Sequence, residues 1–372
     1  NRTRRAGAFH STAPSMSTPV IDHASEQRVV EVGTSTAVLD HTPRGHASRY
    51  VSACYTGMRD DVARTSAYRH AILEAAPGKV VVDLGTGALA LLAIIAAEAG
   101  AEHVYAIEVQ AAAAASARQA VSAAGLSDQI TVLHGFSTDV TLELPAKATL
   151  LVHELIGEIA GEEGVVAAIL DATSRHLAPS AQPPLSVPSR VRSLLAPCEL
   201  PDGAPPGSGR ALKLPALPTS ARLAPPLAFE DLRFERGAPA SCAAAELSFS
   251  VERAGRLACL SVHVELHCGA ARGDEPADVS SAWAGSHWRN VLLVLDEAVQ
   301  VRVLDEVRVR TSVALAGALP LYTFEAFLVP AGEEEGGGGA GRLRALGSPL
   351  HYPEAALNCN EAIDMQLDQY AP

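Results

Sequence analysis

Val152-His-Glu-Leu-Ile-Gly-Glu-Ile-Ala-Gly-Glu-Glu-Gly164 is the stretch on which the reading of the chain turns. It continues Ala148-Thr-Leu-Leu-Val152, a short apolar run that fits a buried strand of a parallel sheet. Ligands of open α/β sheets bind outside the carboxyl ends of the strands, so chemistry is expected in the loop leaving that edge. The loop carries four carboxylates, Glu154, Glu158, Glu162 and Glu163. Crowding them costs Coulombic energy unless a cation lies among them or solvent screens them. Taken alone, an acidic loop reads as a solvated turn. Glu154 and Glu163, however, are nine residues apart across a Gly-containing loop, a spacing that lets both converge on one planar cation.

The segments before the loop supply a nucleotide-binding pattern. Lys79-Val-Val-Val-Asp-Leu-Gly-Thr-Gly87 reads as a buried strand running into a glycine turn, with a helix beyond through Ala99. Gly85 and Gly87 let backbone approach a ligand closely, and the helix start offers free N–H groups. His103-Val-Tyr-Ala-Ile-Glu108 is a second strand. It ends in an acid placed to accept hydrogen bonds from ribose hydroxyls. Ile130-Thr-Val-Leu-His134 is a third, entering Gly135-Phe-Ser-Thr-Asp139. Residues 50–76 have helical spacing, stopped by Pro77-Gly78. Four strands alternating with helices predict a doubly wound, Rossmann-like domain over 41–182. Residues 1–40 show no sustained periodicity and read as a disordered extension.

After Pro179 the pattern changes. Pro183, Pro184, Pro188 and Pro197 break helices, and Leu200 to Pro226 is a Pro/Gly-rich connector. Alternating runs at 246–251, 257–266, 290–295 and 299–304 predict an antiparallel, barrel-like β domain over 183–372. Glu333-Glu-Glu-Gly-Gly-Gly-Gly339 reads as a flexible turn.

The net charge of −13 argues against general binding to phosphate backbones and suits cationic partners such as Arg-rich peptides. Six cysteines without a CxxC pair argue against a disulfide scaffold or a structural zinc site, and no metal is expected. The longest apolar stretch, 89–97, is too short to span a bilayer. Arg2, Arg4 and Arg5, without an acid before Asp22, fit either an organellar targeting segment or a disordered tail. Otherwise a reducing cytoplasmic or nuclear setting is the default.

An α/β nucleotide half, a double-Glu loop and an all-β half resemble the protein arginine N-methyltransferase family. The likeness runs from about Tyr50 to Leu321 and rests on five motifs in order. They are Met58-Arg-Asp-Asp-Val-Ala-Arg-Thr-Ser-Ala-Tyr-Arg69, Val82-Asp-Leu-Gly-Thr-Gly87 with Tyr105-Ala-Ile-Glu108, His153-Glu154 through Glu163, Ser186-Val-Pro-Ser-Arg-Val-Arg-Ser-Leu-Leu-Ala-Pro197, and Ser286-His-Trp288.

The resemblance implies S-adenosyl-L-methionine as cofactor and an arginine-containing protein, such as an Arg-Gly-rich one, as substrate. It implies that Arg64 pairs with the cofactor carboxylate and that Gly85 and Gly87 cradle its methionine portion. Glu108 would hold the ribose, with Thr138 or Asp139 near the adenine. Asp83 would fix the turn. Glu154 and Glu163 would clamp the guanidinium, and Met58 would be a wall beside it. His287 and Asp61 would form a dyad that takes up a proton or stabilises the loop. Trp288 would pack on the loop or stack on the target arginine.

Departures are visible. The glycine turn continues as Gly87-Ala-Leu-Ala-Leu-Leu92 without a third glycine, and Leu155 stands where the family has Trp. A Tyr-Phe-x-x-Tyr motif is not legible, although Tyr50 and Tyr55 are nearby. The Pro-rich connector replaces the family's dimerisation arm, leaving a homodimer open. The competing readings are a small-molecule methyltransferase on the same scaffold and a non-catalytic cofactor-binding scaffold.

Overall fold

The computed structural model describes residues 52–179, 186–201, 211–234, 242–269, 276–315, 320–331 and 344–352. The extension read over 1–40 and the glycine turn at 333–339 lie outside them. In place of one helix over 50–76 there are two, α1 (Ser52–Asp60) and α2 (Val62–Ala75). The break is Asp61, whose backbone is extended and whose carboxylate accepts the Arg64 N–H at 2.9 Å. An acid at that position is an N-cap, satisfying a donor the helix itself cannot. Helical spacing running through Asp61 hides it.

The α/β half is a parallel sheet in the order β3-β2-β1-β4-β5. Its strands are β1 (Val80–Leu84), β2 (His103–Glu108), β3 (Ile130–His134), β4 (Leu150–His153) and β5 (Ser186–Val187). Helices α3 (Leu91–Glu98) and α4 (Ala111–Ala123) pack on β1, β2 and β3. After β1 the strand order reverses, with β2 on one side and β4 on the other, which opens a crevice at their carboxyl ends. The sheet has five strands where four were expected. Ser186 and Val187 pair in parallel with Leu151 and Val152, so the change of architecture falls at Pro188.

Helix α5 (Val165–Arg175) returns from the acidic loop and buries Val165, Val166, Ile169 and Ala172. Its last residue, Arg175, forms a forked pair with Asp171 at 2.7 and 2.8 Å. The same guanidinium donates to the Ser137 and Leu142 carbonyls, fixing the loop after β3.

The second half is two antiparallel sheets. One, ordered β7-β12-β10-β6-β8, contains β6 (Arg190–Cys198), β7 (Ala211–Leu214), β8 (Leu227–Arg233), β10 (Gly255–His267) and β12 (Asn290–Val301). The short strand β11 (Val279–Ser280) pairs with β10. The other, ordered β15-β14-β13-β9, contains β9 (Cys242–Ser250), β13 (Glu306–Ala314), β14 (Tyr322–Val329) and β15 (Arg344–Ala345). Strand β16 (Leu350–Tyr352) joins β14. Burial alternates along β14, as expected for a sheet with one face in the core. The two runs read at 290–295 and 299–304 form the single strand β12, and Leu304 instead occupies the following turn at φ +75°.

One apolar core extends from Ile72 and Ile107 in the α/β half to Leu260 and Phe324 in the β half. A second, smaller core lies where the described part of the Pro-rich connector folds back. There β7 pairs with β12, and Leu212, Leu214 and Leu217 cover Cys198, Cys259, Leu292 and Val294. Cys198, Cys259 and Cys268 are free thiols. Among the described residues no helix is long and apolar enough to cross a membrane, and no group of metal-ligating side chains converges.

Candidate active site

The carboxyl ends of β1, β2, β3 and β4 deliver one cleft, closed on the amino-terminal side by α1 and α2. Gly85 and Gly87 form its floor with φ of +72° and +67°. Both are in a backbone region that L side chains avoid, so glycine is required by conformation. A side chain at either position would also have to displace a neighbour. A Cβ on Gly85 would meet Leu155 Cδ2 at 2.8 Å, and one on Gly87 would meet Tyr55 Cε1 at 2.8 Å. The turn lacks a third glycine and pays for it at Ala90, which takes a left-handed φ of +45° at the start of α3.

Two buried acids hold this turn. Asp83 accepts the Thr86 hydroxyl at 2.6 Å. It is held by that side chain and by the Ala93 backbone N–H. Burial, reinforced by nearby Glu108, pushes the Asp83 carboxyl up to about 7, against the Thr86 hydrogen bond. Glu108 accepts the Gly87 N–H at 2.9 Å and the Gln110 N–H at 2.8 Å while lining the cleft. Burial raises its pKa, and those two N–H groups work in the opposite direction.

On the opposite wall, Arg64 donates from Nη2 to Glu154 Oε2 at 3.0 Å. The guanidinium also stands over the Tyr68 ring, 5.2 Å from its centroid. Tyr68 in turn donates its hydroxyl to the His153 carbonyl at 3.1 Å, which fixes the backbone just before Glu154. Glu163, Met58 and Thr138 line the same cleft. The structure therefore brings together Met58, Arg64, Asp83, Gly85, Gly87, Glu108, Thr138, Glu154 and Glu163.

It does not bring Asp139, Asp61, His287 or Trp288 to the cleft wall. Asp139 bonds the N–H and hydroxyl of Thr141, a local turn that engages its carboxylate. Asp61 is occupied by its cap and by His287, whose backbone N–H donates to Oδ2 at 2.9 Å and whose Nδ1 lies 3.0 Å from it. Burial pushes the Asp61 pKa up, but the His287 side chain and the Arg64 and His287 N–H groups carry the net shift down. Trp288 donates its indole N–H to the Ile156 carbonyl at 2.7 Å. Trp288 thus contacts the acidic loop, and His287 contacts the Asp61 cap and lies against the Trp288 ring, with centroids 3.9 Å apart.

The four loop carboxylates separate into two pairs. Glu154 and Glu163 line the cleft, while Glu158 and Glu162 turn toward the β domain. The cation that such crowding calls for is Lys213. Glu158 binds Lys213 Nζ at 2.9 Å, and Glu162 folds back to accept the Ile159 N–H at 3.3 Å.

Sequence reasoning left Tyr55, Leu89, Phe136 and Thr86 out of the site, yet all four line the cleft. Tyr55 was visible as a tyrosine near the first helix. The others carry no signal beyond standing next to the strand ends.

The family model described as "Ribosomal protein L11 methyltransferase (PrmA)" matches residues 70–186. "Probable protein arginine N-methyltransferase 6" of Arabidopsis thaliana is 37% identical over 148 residues, which are 39% of this chain and 32% of that protein. "Probable histone-arginine methyltransferase CARM1" of Oryza sativa subsp. indica is 37% identical over 125 residues, 33% of this chain and 23% of that one. The chain thus matches a third or less of the length of these curated relatives. The solved structure of Arabidopsis thaliana protein arginine methyltransferase 10 superposes with a TM-score of 0.67 at 19% identity, covering 81% of this chain and 98% of that one. The Trypanosoma brucei PRMT1 enzyme-prozyme complex with AdoHcy gives 0.66 at 18% identity, covering 82% and 99%. In sequence over at most about two fifths of its length, and in fold over about four fifths, this chain resembles the protein arginine methyltransferases.

Proposed function

We propose that the chain is an S-adenosylmethionine-dependent protein arginine N-methyltransferase. The observation that carries the reading is the placement of Glu154 and Glu163 on one cleft with the glycine turn and Arg64. The cleft fits the cofactor. Bare backbone at Gly85 and Gly87 admits a close approach, Glu108 offers a carboxylate at the end of β2, and Arg64 supplies a guanidinium for a carboxylate. When bound, the cofactor supplies a methyl group activated on a sulfonium.

The chain's own residues do the rest by position and charge. Glu154 and Glu163 bind a substrate guanidinium and draw its positive charge away from the attacking nitrogen. Arg64 orients the Glu154 carboxylate through its 3.0 Å hydrogen bond. An oxygen of Glu163 is assigned to receive the proton that the nitrogen sheds. Asp61, His287 and Trp288 hold the helix cap and the loop in register.

The substrate is a protein arginine in a basic, Arg-Gly-rich context, in keeping with the net charge of −13. A homodimer would use a surface other than the connector, whose described part lies on the chain's own barrel.

The test is transfer of labelled methyl to an Arg-Gly-rich peptide, beside its Lys-substituted twin and a Glu154→Gln variant. Label on the Arg peptide alone, lost in the variant, supports both reaction and clamp. Cofactor binding without transfer to either peptide points to a small-molecule acceptor. Absence of cofactor binding leaves a scaffold.

A further inference from the structure

The acidic loop has little regular structure of its own. Its internal backbone–backbone hydrogen bonds close two short turns, Glu162 N–H to the Ile159 carbonyl at 3.0 Å and Gly164 N–H to the Gly161 carbonyl at 2.9 Å. Its shape comes from the β domain, which, besides the Trp288 indole on the Ile156 carbonyl, grips it at two further places. At the first, Ser193 receives the Ala160 N–H at 2.9 Å and donates to Glu230, which also takes the Tyr322 hydroxyl at 2.7 Å. Gly161 is pressed so closely on this group that a Cβ would meet Tyr322 Oη at 2.6 Å.

The second grip is ionic. Lys213 on β7 binds Glu158 at 2.9 Å and lies over the Tyr352 ring, 5.9 Å from its centroid. Glu162 is packed between Gly157 and this group. A Cβ at Gly157 would meet Glu162 Cγ at 2.1 Å, so only glycine leaves room for the returning carboxylate. Glu158 and Glu162 face each other, and Lys213 is the cation between the loop and the barrel. Burial and the neighbouring Glu158 raise the Glu162 pKa well above the usual carboxylate range, while Lys213 offsets the burial of Glu158. Glu163, the next residue, faces the cleft and lies within the field of Lys213.

We propose that Lys213 is a positioning residue for the clamp: by neutralising Glu158 beside Glu162 it fixes the 157–163 turn and so aims Glu163 into the cleft. The consequence for catalysis rests on the arginine methyltransferase reading; the consequence for the loop does not. Without the cation, the half-buried Glu158 carboxylate faces buried Glu162 with no countercharge, and the least costly relief is to swing it toward water. That movement rotates the turn carrying Glu163. The connector segment, which bears Lys213, thereby becomes part of the apparatus that sets substrate geometry.

The test uses the full chain with Lys213→Met, Lys213→Arg, and the double variant Lys213→Met/Glu158→Gln. Amide hydrogen exchange over 157–164 is read together with peptide methylation and S-adenosylhomocysteine binding. Lys213→Met should speed exchange in that loop at least tenfold and lower kcat/KM for the peptide at least tenfold, with cofactor affinity within twofold of the parent. Lys213→Arg should restore both, and the double variant should recover part of the loss because the uncompensated charge is gone. Unchanged loop exchange in Lys213→Met overturns the proposal whatever the activity. Faster loop exchange in a chain whose parent methylates no arginine peptide retires the functional reading and leaves the role of Lys213 in shaping the loop standing. Should Lys213→Met fail to fold, Glu158→Lys in the wild-type background reads the same contact. Wild-type loop exchange in that variant would overturn the proposal.

Discussion

Arg64 and Glu154, ninety residues apart, meet in an ion pair of 3.0 Å whose side chains are only 5% and 7% exposed. The pair joins the second helix to the acidic loop at the point where both face the cleft. Buried charges are tolerated when each compensates the other, and removing one partner strands the other in a medium of low dielectric. Arg64→Leu should therefore destabilise the fold by roughly 3–5 kcal/mol. The double variant Arg64→Leu/Glu154→Leu should recover most of that loss while remaining unable to bind cofactor or arginine peptide. Urea unfolding of the four members of the cycle measures it. Additive effects would mean that the pair is solvated in solution.

Asp61 does two jobs with two oxygens, capping the second helix through the Arg64 N–H and holding the backbone and ring of His287. An asparagine retains a cap acceptor but not the charge. Asp61→Ala should cost about 1–2 kcal/mol in stability through the lost cap. Asp61→Asn should cost less than the alanine variant while still lowering kcat, because His287 and the loop behind Trp288 lose their anchor. Stability and turnover measured on both variants separate the cap from the anchor. Equal stability loss in the two would assign the whole effect to the charge.

Much of this arrangement was legible in the sequence, for a physical reason. Strand ends, the glycine turn and the acidic loop are local: apolar runs of four or five residues, residues that permit positive φ, and carboxylates at fixed offsets. What escaped was set by contacts between distant segments. The break at Asp61 was hidden because a cap looks like any acid within a helical repeat. The cation that lets Glu158 and Glu162 crowd together went unnamed because Lys213 lies more than fifty residues away. Tyr55 was noticed without a role because its partner is the bare backbone of Gly87, which has no side-chain pattern to match. The fifth strand of the parallel sheet consists of two residues, below the length at which alternation has meaning.

The contact between Tyr55 and Gly87 makes the floor of the cleft intolerant of even one carbon. Gly87 sits at φ +67°, and a Cβ there would meet Tyr55 Cε1 at 2.8 Å and Cδ1 at 3.0 Å. Gly87→Ala should abolish detectable S-adenosylhomocysteine binding in calorimetry and cost roughly 1–2 kcal/mol in stability, from the left-handed backbone alone. Adding Tyr55→Ala removes the collision but not the backbone strain. The double variant should thus regain little stability, and any binding it regains measures the steric share. Wild-type affinity in Gly87→Ala would show that the ligand does not approach this turn.

His153 closes the fourth strand, is fully buried, and packs at right angles to Phe234 with ring centroids 5.0 Å apart. Neither ring nitrogen has a hydrogen-bond partner, and burial drives its pKa down to about 3. In the unfolded chain a histidine titrates near pH 6.5, at about its model-peptide value. Between those two values the unfolded chain holds a proton that the folded chain refuses, so the contribution to stability is whole above the upper value and is lost as the pH falls. His263, lowered to about 3 chiefly by burial, acts in the same direction. Asp83, raised to about 7, acts oppositely: its folded state retains a proton that the unfolded chain releases, and stability falls as the pH rises toward that value. The contributions overlap, so the His153 share is isolated by comparing one variant with the parent. His153→Leu should gain on the wild type by about 1.4 kcal/mol for each pH unit below about 6. Denaturant unfolding at pH 7, 6 and 5 reads that gain directly. Parallel stability curves would mean that the folded protein accommodates a charged imidazole at this site.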